Sequence, residues 1–161
     1  MDAESIRQMF SLATRAMAAN LEGFTHDDAL AQPPGGGNCV NWILGHVVVH
    51  RNHMLRALGA EPVWGADADA RYERGSAPVT GPERALPLET LLEALASSRE
   101  RLLASLETVG DERLAAVPAD ATGSAAAPIG RRLAVLMVHE GYHVGQVATL
   151  RRLSGRAGAI R

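Results

Sequence analysis

The chain is 161 residues long, 47% hydrophobic and 21% charged, which is enough apolar side chain for a single packed domain over residues 1–161 without cross-links. Its 16 basic and 18 acidic residues leave a net charge of −2, which excludes a nucleic-acid binder that works through bulk positive charge. Every basic residue is Arg, so lysine Schiff-base chemistry and a Walker phosphate loop are excluded, and the lone Cys39 excludes an internal disulfide framework.

No basic segment followed by an apolar one opens the sequence. The longest uncharged apolar run, about Val40 to His50, is too short to cross a bilayer. A soluble cytoplasmic protein with no membrane partner is expected.

Four segments carry a helical period. The first spans about Ala3 to Asn20, where Ile6, Met9, Phe10, Ala13 and Met17 recur at steps of three and four. One or two turns are expected after Thr25, before Pro33-Pro34-Gly35-Gly36-Gly37-Asn38 breaks the chain. The second helix is expected from Asn38 or Asn41, both good N-caps, to Leu58 before Gly59. A long polar stretch follows, from Ala60 to Pro87.

The third helix opens at Leu88, with Leu92, Leu95, Leu102, Leu103 and Leu106 as its stripe, and ends at Gly110. A one-turn segment at Glu112–Ala116 and a small-residue loop from Pro118 to Gly130 lead to the fourth helix, from Gly130 or Arg131 to Ser154. No sustained alternating pattern marks a strand. The fold class is therefore all-α, a four-helix bundle, with the 60–87 segment long enough to cross the bundle and set the second and third helices parallel.

Five of the six histidines fall in two of these helices. His46, His50 and His53 are spaced i, i+4, i+7, which places them within about 60° of one another on a helix. His139 and His143 are spaced i, i+4 and share a face with Leu136, Val147 and Leu150. Unpaired imidazoles on an apolar arc would cost a few kcal/mol, roughly, whereas a divalent ion satisfies both at once.

The string His139-Glu140-Gly141-Tyr142-His143 matches the H-E-x-x-H pattern of zinc proteases, but the rest of that pattern is missing. No Asp or Glu follows Glu140, and a metzincin's Gly and His would be needed where Gln146 and Thr149 stand. A third ligand must come from upstream. His46 is the choice, because Ile43 and Val47 flank it, while Arg51 and Asn52 mark a wetter end near His53. His50 is left as a fourth ligand, a ligand-orienting partner or a substrate contact. His53 is expected in solvent, and His26 in an acidic loop without function.

Asn41-Trp42-Ile43-Leu44-Gly45-His46, then His139-Glu140-Gly141-Tyr142-His143-Val144-Gly145-Gln146, then the tail Leu150-Arg151-Arg152-Leu153-Ser154-Gly155, make the chain resemble the DinB-like superfamily, including its YfiT-type and bacillithiol-transferase branches. The resemblance covers nearly the whole chain. It implies an up-down-down-up bundle, a homodimer, and a Zn or Ni ion held by His46, His139 and His143. It also implies thiol-dependent chemistry on a small electrophile, with a low-molecular-weight thiol as co-substrate.

Three neutral histidines leave a coordination position open for water or a thiol. The leading expectation is a metal-dependent thiol S-transferase; the alternatives are a metal-dependent hydrolase and a non-enzymatic metal or small-ligand binding protein. Gln146, His50 and Glu140 are the candidate catalytic residues. Glu140 points about 100° from His139, so pairing with an Arg is the favoured reading of it. Tyr142 points elsewhere, Trp42 belongs to the core or a dimer surface, and Cys39 is a small buried side chain. Arg151, Arg152, Arg156 and Arg161 either meet the carboxylates of a thiol cofactor or complement the last helix's dipole.

Overall fold

The computed structural model describes residues 2–118 and 126–160. Much of the loop expected before the last helix lies outside them, as does Arg161. Among the described residues there are seven helices and no strand: α1 (Ala3–Leu21), α2 (His26–Leu30), α3 (Val40–Leu58), α4 (Ala66–Tyr72), α5 (Leu88–Thr108), α6 (Asp111–Ala115) and α7 (Ile129–Leu153).

Local chemistry sets several of the boundaries. The Asp2 carboxylate caps α1 by accepting the Ser5 N–H at 2.7 Å. Thr25 and Asp28 form a reciprocal capping box on α2. Gly59, at φ 82°, closes α3 in the left-handed conformation that glycine adopts without strain. Neither asparagine caps α3, contrary to expectation. Cys39 holds the N-cap position without a side-chain bond, and Asn41 turns inward to donate to the Leu86 carbonyl at 2.8 Å. Gly110 stands not at the end of α5 but at the N-cap of α6. The 60–87 stretch also carries a helix, α4, that the sequence did not announce.

Cross-bonds fix the directions of the four long helices. Asn41 bonds Leu86, Arg51 bonds the Leu95 carbonyl, and Arg101 reaches back to Glu61 and Pro62, so α3 and α5 run the same way. His46 lies against His143, and His50 against His139, so α7 runs opposite to α3. Ile6 and Phe10 share a core cluster with Ile129 and Leu133, while Arg151 bonds the Asn20 carbonyl, so α1 and α7 are parallel. This is an up-down-down-up order, and the segment carrying α4 makes the crossover.

The core divides along the bundle axis. One cluster gathers Met17, Leu21, Val47, Leu91, Leu95, Val144 and Val147. The other gathers Ile6, Phe10, Met54, Leu55, Leu102, Leu106, Leu133 and Met137. Between them each long helix gives one polar group to a single layer: Thr14, Arg51, Ser98 and Glu140. Arg51 is 1% exposed and Glu140 3%. The guanidinium donates to both Glu140 oxygens at 3.1 and 2.5 Å, to the Leu95 carbonyl, and to the Ser98 and Thr14 hydroxyls, and it lies over the Phe10 ring.

This layer corrects three expectations about which residues face inward. Arg51 and Asn52 are among the most buried groups of α3 rather than its wet end. The buried line of α7 runs through Leu133, Met137, Glu140, His143, Val144 and Val147, so of the histidine pair His143 is buried and His139 sits at the edge. On α5, Leu91 and Ser98 are buried where Leu92 was expected, and Leu92 faces outward.

Candidate metal centre

The antiparallel packing of α3 on α7 brings His46 between His139 and His143, with ring centroids 5.1 Å from each. One ring nitrogen from each of these three residues lies within 4.8 Å of the others, the only such donor group among the described residues. His139 Nε2 and His143 Nε2 are 3.1 Å apart. Two nitrogens on one tetrahedral ion, each about 2.0–2.1 Å from it, stand roughly 3.3 Å apart. The pair therefore already has the spacing of two ligands on one ion.

The second nitrogen of two of these rings is committed. His46 Nδ1 lies 2.7 Å from the Tyr72 carbonyl, which can only accept, so Nδ1 carries the hydrogen and Nε2 the lone pair. His143 Nδ1 lies 2.7 Å from Gln146 Oε1 and is held in the same tautomer. Gln146 Nε2 donates onward to the Tyr142 hydroxyl at 3.1 Å. Tyr142 thus does not point away from the site: its ring stands edge-on to His143 at 5.2 Å while remaining 64% exposed. His139 Nδ1 is buried without a partner among the described residues.

Burial disfavours the charged imidazolium in all four site histidines, which keeps them neutral and able to bind a cation at pH 7. It lowers His46 and His139, pushes His143 down to about 4, and pushes His50 down to about 3. At His46 the Tyr72 carbonyl and Glu73 oppose the effect in part. Three neutral imidazoles, two of them locked in tautomer, are a donor set suited to Zn or Ni.

The remaining candidates divide by contact. His50 stacks on His139 at 3.8 Å, meets His46 edge-on at 4.5 Å, and has a buried Nδ1 without a partner among the described residues. It lies beside the three-nitrogen group rather than in it. His53 is partly exposed, with Nε2 3.6 Å from Glu73. His26 belongs to α2 rather than to a loop, and its Nδ1 accepts the Leu88 N–H at 3.2 Å. Glu140 pairs with Arg51 in the core, as its angle on the helix suggested.

Trp42 is buried and stacks on His46 at 4.5 Å, with its indole N–H on the Ser76 hydroxyl. Cys39 is buried with its thiol toward the Val79 carbonyl. Arg151 is spent on the carbonyls of Asn20, Glu22 and Ala157, and Arg156 on Asp28 and Gly23. These two arginines fasten the C-terminal tail to α1 and α2. Sequence reasoning missed the Tyr72 carbonyl, Glu73 and Arg74 at the end of α4; the only trace of them was Gly45, a glycine inside a helix.

Residues 9–147 match the DinB superfamily. No curated protein matches the chain. A solved structure described as a conserved protein from Enterococcus faecalis is 20% identical, with a TM-score of 0.72 over 95% of this chain and 97% of that one. That likeness shows the fold. No helix among the described residues is long and apolar enough to cross a membrane.

Proposed function

Because the chain belongs to the DinB superfamily, we propose that it is a divalent-metal-dependent enzyme, a thiol S-transferase acting on a small electrophile, with His46, His139 and His143 as ligands. The observation that carries this is the 3.1 Å approach of His139 Nε2 to His143 Nε2, with the His143 Nδ1 hydrogen held by Gln146. The same distance suits an N–H···N hydrogen bond, and it is the third ring nitrogen, from His46, lying within 4.8 Å of both that favours a shared cation. Zn or Ni suits these donors, and three protein ligands leave a position for a further group.

A cation at this place supplies Lewis acidity that favours the ionised form of a thiol or water. The chain's own residues do the rest. The Tyr72 carbonyl and Gln146 hold the ligand protons on Nδ1 and so keep both Nε2 lone pairs directed at one point. Trp42 and His50 pack against the ligand rings and exclude water from their flanks. Glu140 is engaged with Arg51 and is not free to take the nucleophile's proton, whereas Glu73, whose charge acts on His46 and whose carboxylate meets His53, is the acidic group we assign to receive it. A hydrolase would use the same open position with water as the nucleophile.

Membership also supports a homodimer, for which exposed Val135, Val138 and Tyr142 on α7 offer apolar surface. A buried free thiol at Cys39 suits a reducing, cytoplasmic setting.

The test is elemental analysis after controlled Zn and Ni loading, followed by thiol-dependent turnover of a panel of electrophiles. About one ion per chain is expected in the wild type, lost in His46→Ala and in His139→Ala. Loss of turnover with the ion supports the transferase. Turnover without a thiol supports the hydrolase, and one bound ion with no turnover supports a binding protein. No specific ion in the wild type removes the metal reading.

A further inference from the structure

His46 is the one ligand whose orienting partner comes from outside the two site helices. That partner is the Tyr72 carbonyl at the end of α4. The placement of α4 is unusually well determined for a seven-residue helix. The Tyr72 ring lies directly against the α3 backbone one residue before His46: a Cβ built on Gly45 would stand 2.3 Å from the ring carbons. The Tyr72 side chain is wholly buried, its hydroxyl donating to Asn41 Oδ1 at 3.0 Å and accepting the Leu86 N–H at 2.8 Å.

One turn earlier, Asp69 accepts from Asn52, Trp64 and Arg56 at 2.8, 2.6 and 2.6 Å. Two anchors on α3, one at Asn41 and Gly45 and the other at Asn52 and Arg56, thus bracket His46 and seat α4 between them. Glu73 follows immediately, and its carboxylate contacts His53.

We propose that α4 is a latch on the metal centre, its seating and cation binding at His46 being coupled. The coupling rests on the three-histidine reading and follows from one bond. A cation drawing on the Nε2 lone pair makes the His46 Nδ1–H a stronger donor, which tightens the bond to the Tyr72 carbonyl. Unseating α4 removes that acceptor and frees the ring to take the other tautomer or to rotate. Linkage is reciprocal, so whatever α4 contributes to cation affinity, the cation returns to α4 docking.

The test uses the full chain, zinc as the probe, and two side-chain variants that replace no ligand and leave the Tyr72 carbonyl in the chain. Tyr72→Phe keeps the ring and deletes the hydroxyl's two bonds; Asp69→Ala removes the other anchor. Zinc affinity is expected to fall about tenfold or more in each. In the zinc-free wild type, ¹⁵N spectra should show His46 as a single Nδ1–H tautomer, and in both variants as a mixture, with His143 unchanged. In the wild type, zinc should slow hydrogen exchange of the α4 amides while leaving those of α5 alone. Wild-type zinc affinity and an unchanged His46 tautomer in both variants would overturn the latch. So would α4 exchange indifferent to zinc in a protein that binds it. If the wild type takes up no zinc, the latch falls together with the metal reading.

Discussion

A single amide, Gln146, decides how His143 presents itself. Its oxygen holds the imidazole hydrogen on Nδ1 and its nitrogen donates to the Tyr142 hydroxyl, which fixes the position of the amide. Gln146→Leu removes the acceptor while keeping bulk and helix propensity. Metal affinity is expected to fall about 10–100-fold, as for other partners of metal-bound histidine, with little change in thermal stability. His53→Ala should leave affinity nearly intact, since His53 faces Glu73 at the rim. Titration of both variants with zinc under identical buffer conditions measures the contrast, and equal losses would mean that the site extends further along α3.

The layer of Thr14, Arg51, Ser98 and Glu140 acts on the elements rather than on any one residue. All four long helices meet there through polar groups, and it lies one residue from His50 on α3 and one residue from the ligand His139 on α7. A half-turn slip of α7 along α3 would strand a buried guanidinium, so the ion pair favours the register that also brings His46 to His143. Replacing one partner leaves a charge buried and unpaired. Glu140→Leu is therefore expected to destabilise the fold by about 3–5 kcal/mol, read from denaturant unfolding with linear extrapolation. A loss near zero would mean that water or another group takes over the guanidinium.

The same layer marks where sequence reading gave out. The i, i+4 histidines and the leucine repeats are local signals, and the four long helices could be read from them. Arg51 and Glu140 are 89 positions apart, and although an Arg partner was expected for Glu140, no local signal names Arg51 or places the pair in the core. Nothing local shows that they neutralise one another. Helix α4 failed for a related reason. Its N-cap, Gly65, makes no side-chain bond, and seven residues are too few to form a stable helix alone. Tertiary anchors at Asp69 and Tyr72 create it. Gly45 was the available clue, since a glycine inside a buried helix implies a close neighbour, though the sequence could not say which one.

At the scale of the whole molecule, the buried histidines tie stability to pH. Unfolded, each titrates near the ordinary value of about 6.5. Folded, burial holds His50 at about 3, His143 at about 4, and His46 and His139 below the usual value. Between roughly pH 6.5 and 4 the unfolded chain therefore binds protons that the folded chain refuses, so stability rises with pH across that window. The contribution is fully present above about pH 6.5 and is lost as pH falls through the lower folded values.

Calorimetric scans of the ion-free protein should show the thermal midpoint dropping between pH 7 and pH 5. His50→Phe should flatten that slope, because it removes the most strongly shifted of the four groups while filling the same space beside His139. Zinc should raise the midpoint at pH 7 and lose the effect toward pH 5, since protons and the cation compete for the same lone pairs. A midpoint flat from pH 7 to pH 5 in the ion-free protein would show that these rings are open to water, and the closely packed neutral cluster on which the metal reading stands would have to be given up.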